Sequence, residues 1–223
     1  EGGDGHAGAA GRAVKMGAPD GRTYGHSPVQ GLHAAGRIAQ ELDNVHFIQR
    51  PMVCRDITDN REMDLNTIYA CCAGSTKHIG TSFTEPSFVP DALEMLHMIA
   101  GGESNWRARP FLSNSNCFVV PPMKFATEAC EVMEACIRGG MPVLLLSAGM
   151  AGATAPSTIA GAIVQATAEC LAGTCHLHPT PPRPPAIFRT RPCRPSPSPL
   201  PLPTHPPPLP HGPPLATPLS RVH

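Results

Sequence analysis

The sequence predicts a parallel α/β fold, and three observations carry that prediction. Four apolar strand candidates begin at Val45, His78, Phe111 and Val143, at intervals of 33, 33 and 32 residues. Each is followed by a segment whose apolar residues stand three or four apart, the period of an amphipathic helix. The last unit, residues 142–173, is the clearest. Val143-Leu144-Leu145-Leu146 is a run typical of a strand buried on both faces, and a small-residue turn follows from Ser147 to Ala153. Ile159, Ile163, Val164, Ala166 and Leu171 then recur at helical spacing. Regularly repeated βα units belong to an open doubly wound sheet or to a (β/α)8 TIM-type barrel. Eight such units would occupy about 260 residues, near the usual size of that barrel, so four units read as half of one.

The elements follow in order. Residues 1–27 are rich in Gly and Ala and read as a disordered leader, without the apolar centre of a signal peptide. Helical spacing runs from Ser27 to Leu42 through Val29, Leu32, Ala35 and Ile38. Residues 45–48 make the first strand, leading into Gln49-Arg50-Pro51. A helix is expected over residues 66–73 with Asp64 as its cap, and the next strand over residues 77–83. The helix over 90–100 is stopped by Gly101-Gly102. Residues 110–115 form the third strand, 116–122 a loop, and 125–138 a helix closed by Gly139-Gly140. In the last unit Thr154 or Ser157 is suited to cap the helix, Pro156 fits its first turn, and Gly173 fits its end. The folded body is therefore expected over residues 28–173.

Composition changes sharply after it. Of the 28 prolines, 18 lie beyond Gly173, and no acidic residue follows Glu169. Residues 1–173 carry a net charge of −5 and residues 174–223 a net charge of +5 without a lysine. Proline at that density has no place in a helix or sheet interior, so 174–223 reads as a disordered Pro-rich tail. Pro182-Arg183-Pro184-Pro185 and residues 206–210 resemble ligands of aromatic grooves. A mildly acidic body excludes a nucleic-acid footprint. No apolar run approaches the ~20 residues of a membrane span. Nine cysteines, an odd number at irregular spacing, point to reduced thiols and a cytoplasmic location.

Four stretches carry a resemblance: DLNTIYACCAGSTKHIGTSF at residues 64–83, EMLHMIAGG at 94–102, WRARPFLSNSNCFVVPPMKF at 106–125, and the segment from Gly139 to Gly173 that contains AGATAP. Together they resemble the trimethylamine methyltransferase family over about residues 30–173, in order and without large gaps. The resemblance implies a (β/α)8 barrel that moves a methyl group from a tertiary or quaternary methylamine, such as trimethylamine or glycine betaine, to the cobalt of a partner corrinoid protein. Founding members use a pyrrolysine from the second half of the barrel, a region that this sequence does not match. On this reading the chain is a methyltransferase-like amino-terminal half with no directly bound cofactor or metal. Its partners are a corrinoid protein and a small methylated amine, and two halves are able to pair as a homodimer. Two rivals stay open: a non-catalytic interaction protein that presents its proline-rich tail, and a mistranslated product.

In a barrel of this kind the site is built from loops at the carboxyl ends of the strands. By position these residues are Gln49 and Arg50; Thr81, Ser82 and Glu85; Ser113, Asn114, Ser115 and Asn116; and Ser147, Met150 and Thr154. Ser113, Asn114, Ser115, Asn116, Glu85, Arg50, Ser147 and Thr154 are the substrate-binding candidates. Glu85 suits the charge of a methylammonium ion, and Arg50 suits a substrate carboxylate. Each also has an ordinary alternative as a cap, a turn residue or a surface ion pair. His46 and His78 fit either an acid–base pair inside the barrel or hydrogen-bonded barrel histidines. GMAGAT at 149–154 lacks the spacing of a phosphate loop and reads as a tight βα turn. The catalytic residue is not legible.

Overall fold

Alternation of side chains along four short strands builds the centre of the molecule. A computed structural model describes residues 8–10, 13, 15–17, 24–178 and 186–190. In chain order the elements are β1 (Gly8–Ala10), β2 (Lys15–Gly17), β3 (Tyr24–His26), α1 (Val29–Glu41), β4 (Phe47–Gln49), α2 (Asn60–Gly74), β5 (His78–Thr81), a short 3-10 turn (Pro86–Phe88), α3 (Val89–Ala100), α4 (Glu103–Ala108), β6 (Leu112–Asn116), β7 (Val119–Val120), β8 (Lys124–Phe125), α5 (Thr127–Arg138), β9 (Val143–Ser147), α6 (Ile159–Leu177) and β10 (Ala186–Thr190). Six strands form one parallel sheet in the order β1-β4-β5-β6-β9-β10. Two antiparallel ribbons, β2–β3 and β7–β8, stand apart from it.

The strand order follows the sequence without a reversal, which sets the sheet apart from a doubly wound one. Successive right-handed crossovers in one direction place their helices on one side of such a sheet. The sheet is open: among the described residues β1 and β10 pair only with β4 and β9. Among the described residues it is a partial α/β fold without a closed barrel.

Register divides the sheet into two faces. Ile79, Leu112 and Asn114, Val143 and Leu145 fall on one side, and the apolar members of that set pack with Leu32, Ile68, Leu96, Met133 and Ile137 in the buried core. Phe47, Gln49, His78, Ser113, Ser115, Leu144 and Leu146 fall on the other. Five of these, Phe47, Gln49, His78, Leu144 and Leu146, are only half-buried. One face is therefore a hydrophobic core, and the other mixes polar and apolar side chains and is incompletely covered. Trp106 anchors the amino end of the sheet, fully buried, edge-on to Phe111 at 5.3 Å and donating from Nε1 to the Gly139 carbonyl at 2.9 Å.

Several expectations need correction. Helix α2 begins at Asn60, because Asp59 Oδ1 accepts from the Glu62 amide at 2.9 Å and caps it there. Asp64 is therefore not a cap but a buried residue one turn inside. Helix α6 is capped by Thr158, whose Oγ1 accepts from the Gly161 amide at 3.2 Å, and not by Thr154 or Ser157. It also runs past Gly173 to Leu177. Gly173 is there for room: a Cβ would run into the Phe118 ring. Helix α4 and the β7–β8 ribbon were not expected, since α4 buries only Trp106 and the ribbon is two residues long on each side.

The leader and the tail also carry structure where coil was expected. Residues 8–10, 15–17 and 24–26 are strands, and Ala13 is tied by backbone hydrogen bonds to Pro51 and Val53. Ala186–Thr190 adds to the edge of β9 over five aligned pairs. AIFRT is a proline-free interval between Pro185 and Pro192, long enough to donate a full ladder. The rest of 179–223 lies outside the described residues, as do most of the first 23. Among the described residues no helix is long and apolar enough to cross a membrane.

Candidate active site at the carboxyl ends of the strands

Parallel strands that end together leave their following loops side by side, and here those loops enclose a cleft of about 350 Å³. It is lined by Arg50 after β4, Ser82 and Thr84 after β5, Asn114 and Asn116 on β6, and Glu128 in the first turn of α5. Phe83 and Val132 supply apolar wall. A larger cavity, about 740 Å³, opens at the amino ends of β5 and β6 beside Lys77 and Arg109. The smaller cleft is the better candidate, because reactive loops gather at the carboxyl ends and the amino-end face of such sheets serves stability.

Two charged groups meet beside it, Arg50 on its wall and Asp64 buried behind. Arg50 Nη1 lies 3.9 Å from Asp64 Oδ1, with both side chains largely buried. Asp64 Oδ2 accepts from the Thr84 amide at 2.7 Å, which fastens the loop after β5 onto α2. Burial pushes the Asp64 carboxyl up from its ordinary range; the Thr84 bonds and the Arg50 charge oppose that shift. Among the described residues Asp64 Oδ1 itself has no hydrogen-bond partner, and neither do Thr81 Oγ1 or the two polar atoms of Asn114.

On the opposite face of the sheet a second polar group forms. Ser115 Oγ donates to Gln49 Oε1 at 2.8 Å, and Ser113 Oγ and His78 Nε2 lie 2.9 Å apart. Burial pushes the His78 imidazole below its ordinary value. His46 does not join it, because Phe47 is the residue aligned with His78.

The eight candidate residues separate into four places. Arg50, Asn114 and Asn116 line the cleft together; Ser115 also borders it, but its hydroxyl turns to the opposite face and Gln49. Within the cleft Asn116 Nδ2 donates to the Ala129 carbonyl at 2.8 Å, which fixes the first turns of α5. Ser113 meets His78 of the neighbouring strand on the other face of the sheet. Glu85 is exposed, with Oε2 accepting from Ser87 Oγ at 3.4 Å. Ser147 Oγ donates to the buried Glu169 carboxylate, and Thr154 Oγ1 accepts from the Met150 amide at 2.8 Å inside its own turn. Sequence reasoning missed Asp64 as a site residue. The buried end of the Arg50 pair is half-way along a helix, and α2 has no clean amphipathic stripe that would mark Asp64 as inward. The two-residue alternation of β6 was a usable signal, since by itself it sends Ser113 and Ser115 to one face and Asn114 and Asn116 to the other.

A sequential parallel sheet with its polar cleft at the strand ends defines a βα-repeat protein of the kind that carries chemistry on its carboxyl-end loops. The family model for trimethylamine methyltransferase (MTTB) matches residues 11–193, and the chain belongs to that family. It is 30% identical over 141 residues to trimethylamine methyltransferase MttB of Desulfitobacterium hafniense, covering 60% of this chain and 27% of that protein. Over 145 residues it is 27% identical to trimethylamine methyltransferase MttB1 of Methanosarcina mazei, covering 65% of this chain and 29% of that one. To trimethylamine methyltransferase MttB of Methanosarcina barkeri it is 26% identical over 140 residues, covering 61% and 28%. The chain thus spans less than a third of the length of the curated relatives it matches.

Proposed function

We propose that this chain supplies the first βα units of a methylamine methyltransferase barrel, and that a tertiary or quaternary methylated amine binds at the carboxyl ends of its strands. The methyl group passes to the corrinoid of a partner protein, which is the acceptor in this reading. The observation that carries it is the cleft of Arg50, Asn114 and Asn116 with Glu128 at its mouth, in a chain of the trimethylamine methyltransferase family. Glu128 and the nearby Glu85 offset the charge of the ammonium ion, while Phe83 and Val132 keep water from its methyl groups. The half-covered face of the sheet supports the barrel reading, since Phe47, Gln49, His78, Leu144 and Leu146 would turn inward when a barrel closes. The family match favours this reading over a protein that only displays its proline-rich tail.

Two further parts belong to the same proposal. The eight described cysteines are all free thiols, which suits the reducing cytoplasm. A second copy that covers the open face would make a homodimer, and sedimentation equilibrium tests it.

Calorimetric titration of the full chain with trimethylamine and with glycine betaine tests the substrate reading. Saturable heat from one of them, followed by methylation of a corrinoid protein when the remaining barrel units are supplied, is the expected result. Absence of binding by both amines would sink it.

A further inference from the structure

Where β5 and β6 begin, the helices beside them part and leave the cavity of about 740 Å³, which is within the size range of small-molecule sites. Much of its wall is apolar. Cys72 comes from α2, Ile99 and Ala100 from the end of α3, Ala108 from α4, Ile79 from β5, and Phe111 from just before β6. Trp106, fully buried and edge-on to Phe111 at 5.3 Å, holds that ring in place. Ile99 is still half exposed, so the wall keeps apolar surface that a ligand would cover.

The polar side chains of the wall are already engaged, with one exception. Ser75 Oγ and Thr76 Oγ1 donate to Gln40 Oε1 at 2.7 and 3.3 Å. Lys77 Nζ donates to the Ala39 and Leu42 carbonyls at the end of α1, at 2.8 and 2.7 Å. Asn105 Nδ2 donates to the Ala100 and Gly101 carbonyls at 3.2 and 3.3 Å. Arg109 differs: it is exposed, and among the described residues its guanidinium has no hydrogen bond or ion pair. None of the described residues that line the cavity is acidic. The carbonyls at the end of α3 are also taken, His97 and Met98 accepting from the Gly102 and Gly101 amides at 2.8 and 3.2 Å. The negative end of that helix therefore offers little to a cation.

We propose that this cavity binds a small amphipathic anion, with its apolar body against Ile79, Ile99, Ala108 and Phe111 and its acidic head on the Arg109 guanidinium. A guanidinium is a planar fork of donors suited to such a head. The site is separate from the strand-end cleft: it opens at the other ends of the same strands, and no residue lines both. It does not depend on the methyl-transfer reading. A ligand held there bridges α2 to α3 and α4, and stabilises the folded chain by mass action.

Nuclear magnetic resonance on the full chain tests the proposal, with octanoate as probe and 1-octanol as the same tail without the charge. Octanoate is expected to shift the Ile99 and Ala108 methyl signals saturably, and to bind about tenfold more tightly than 1-octanol. Arg109→Gln, a change at an exposed side chain, should weaken octanoate about tenfold and leave 1-octanol unchanged. Ile99→Gln should weaken both. The proposal is overturned if octanoate leaves the Ile99 and Ala108 signals unmoved, if it moves only the Val132 methyls of the strand-end cleft, or if 1-octanol binds as tightly. Octanoate binding to Arg109→Gln as tight as to wild type would overturn it too. Should a variant fail to fold, the wild-type comparison of octanoate with 1-octanol decides alone. Octanoate binding without binding of either methylated amine would remove the proposed function and leave this site standing; the converse would remove only this site.

Discussion

Gln49 and Ser115 lie on strands separated by a third, and the 2.8 Å hydrogen bond between them crosses directly over Gly80. The crossing needs a residue without a side chain, since a Cβ at Gly80 would overlap the Gln49 carboxamide. Gly80→Ala should swing Gln49 aside and leave the buried Ser115 hydroxyl without its acceptor, at a cost of about 1–2 kcal/mol. Gln49→Ala removes the same bond from the other end. The double variant should therefore cost less than the sum of the singles by about 1 kcal/mol, read from urea unfolding. Strict additivity would show that the bond contributes nothing.

A pH dependence follows from His78. Its imidazole is half-buried against Ser113, and burial lowers its pKa below the ordinary 6.5. The unfolded chain thus takes up a proton at higher pH than the folded one does. Stability from this group is fully present above pH 6.5 and falls as the pH drops below it, until the folded-state value is passed. His78→Gln should flatten that part of the profile, measured as unfolding free energy between pH 7.5 and about 5. An unchanged slope in the variant would assign the loss to other groups.

The parallel βα order was legible because it rests on strand spacing and apolar period, and both are local. Strand β9 and helix α5 sit within two residues of where periodicity put them. What was not legible depends on partners remote in sequence. Gly173 looked like a helix stop and is instead the gap that admits Phe118. Asp64 looked like a cap because nothing local reveals Arg50 beside it. Strand β10 was hidden in a proline-rich text, and only its pairing with β9 marks it. Within the site, Asn114 was found by its position at a strand end, whereas the orphaning of its amide is a property of packing.

Thiol reactivity should follow burial. Cys117 and Cys175 are exposed, whereas burial pushes Cys71 up to about 12 and Cys72 to about 11, and Cys136 is raised further still. The thiolate is the reactive form, so Cys71 and Cys136 should stay unlabelled by a disulfide reagent at neutral pH until the chain unfolds. Cys117 and Cys175 should label in the native protein. Peptide mapping by mass spectrometry separates the two sets, and native labelling of Cys136 would contradict the packing around α5.

Glu169 offers the strongest single test of how the last βα unit is held. Its carboxylate is fully buried on α6 and accepts from Ser147 Oγ at the end of β9, from the Met123 amide at 2.9 Å and from Gln165 Nε2 at 3.0 Å. One side chain thus ties strand, helix and the turn after β7 together. Glu169→Ala should cost about 3 kcal/mol or more, because it strands several donors in the interior at once. Glu169→Gln keeps the shape and one carbonyl oxygen. The Ser147 hydroxyl is free to rotate and accept from the new amide, so this variant should lose only about 1 kcal/mol. A large gap between the two variants in urea unfolding shows that hydrogen bonding holds the unit. Equal losses would mean that the negative charge itself is what the three donors require.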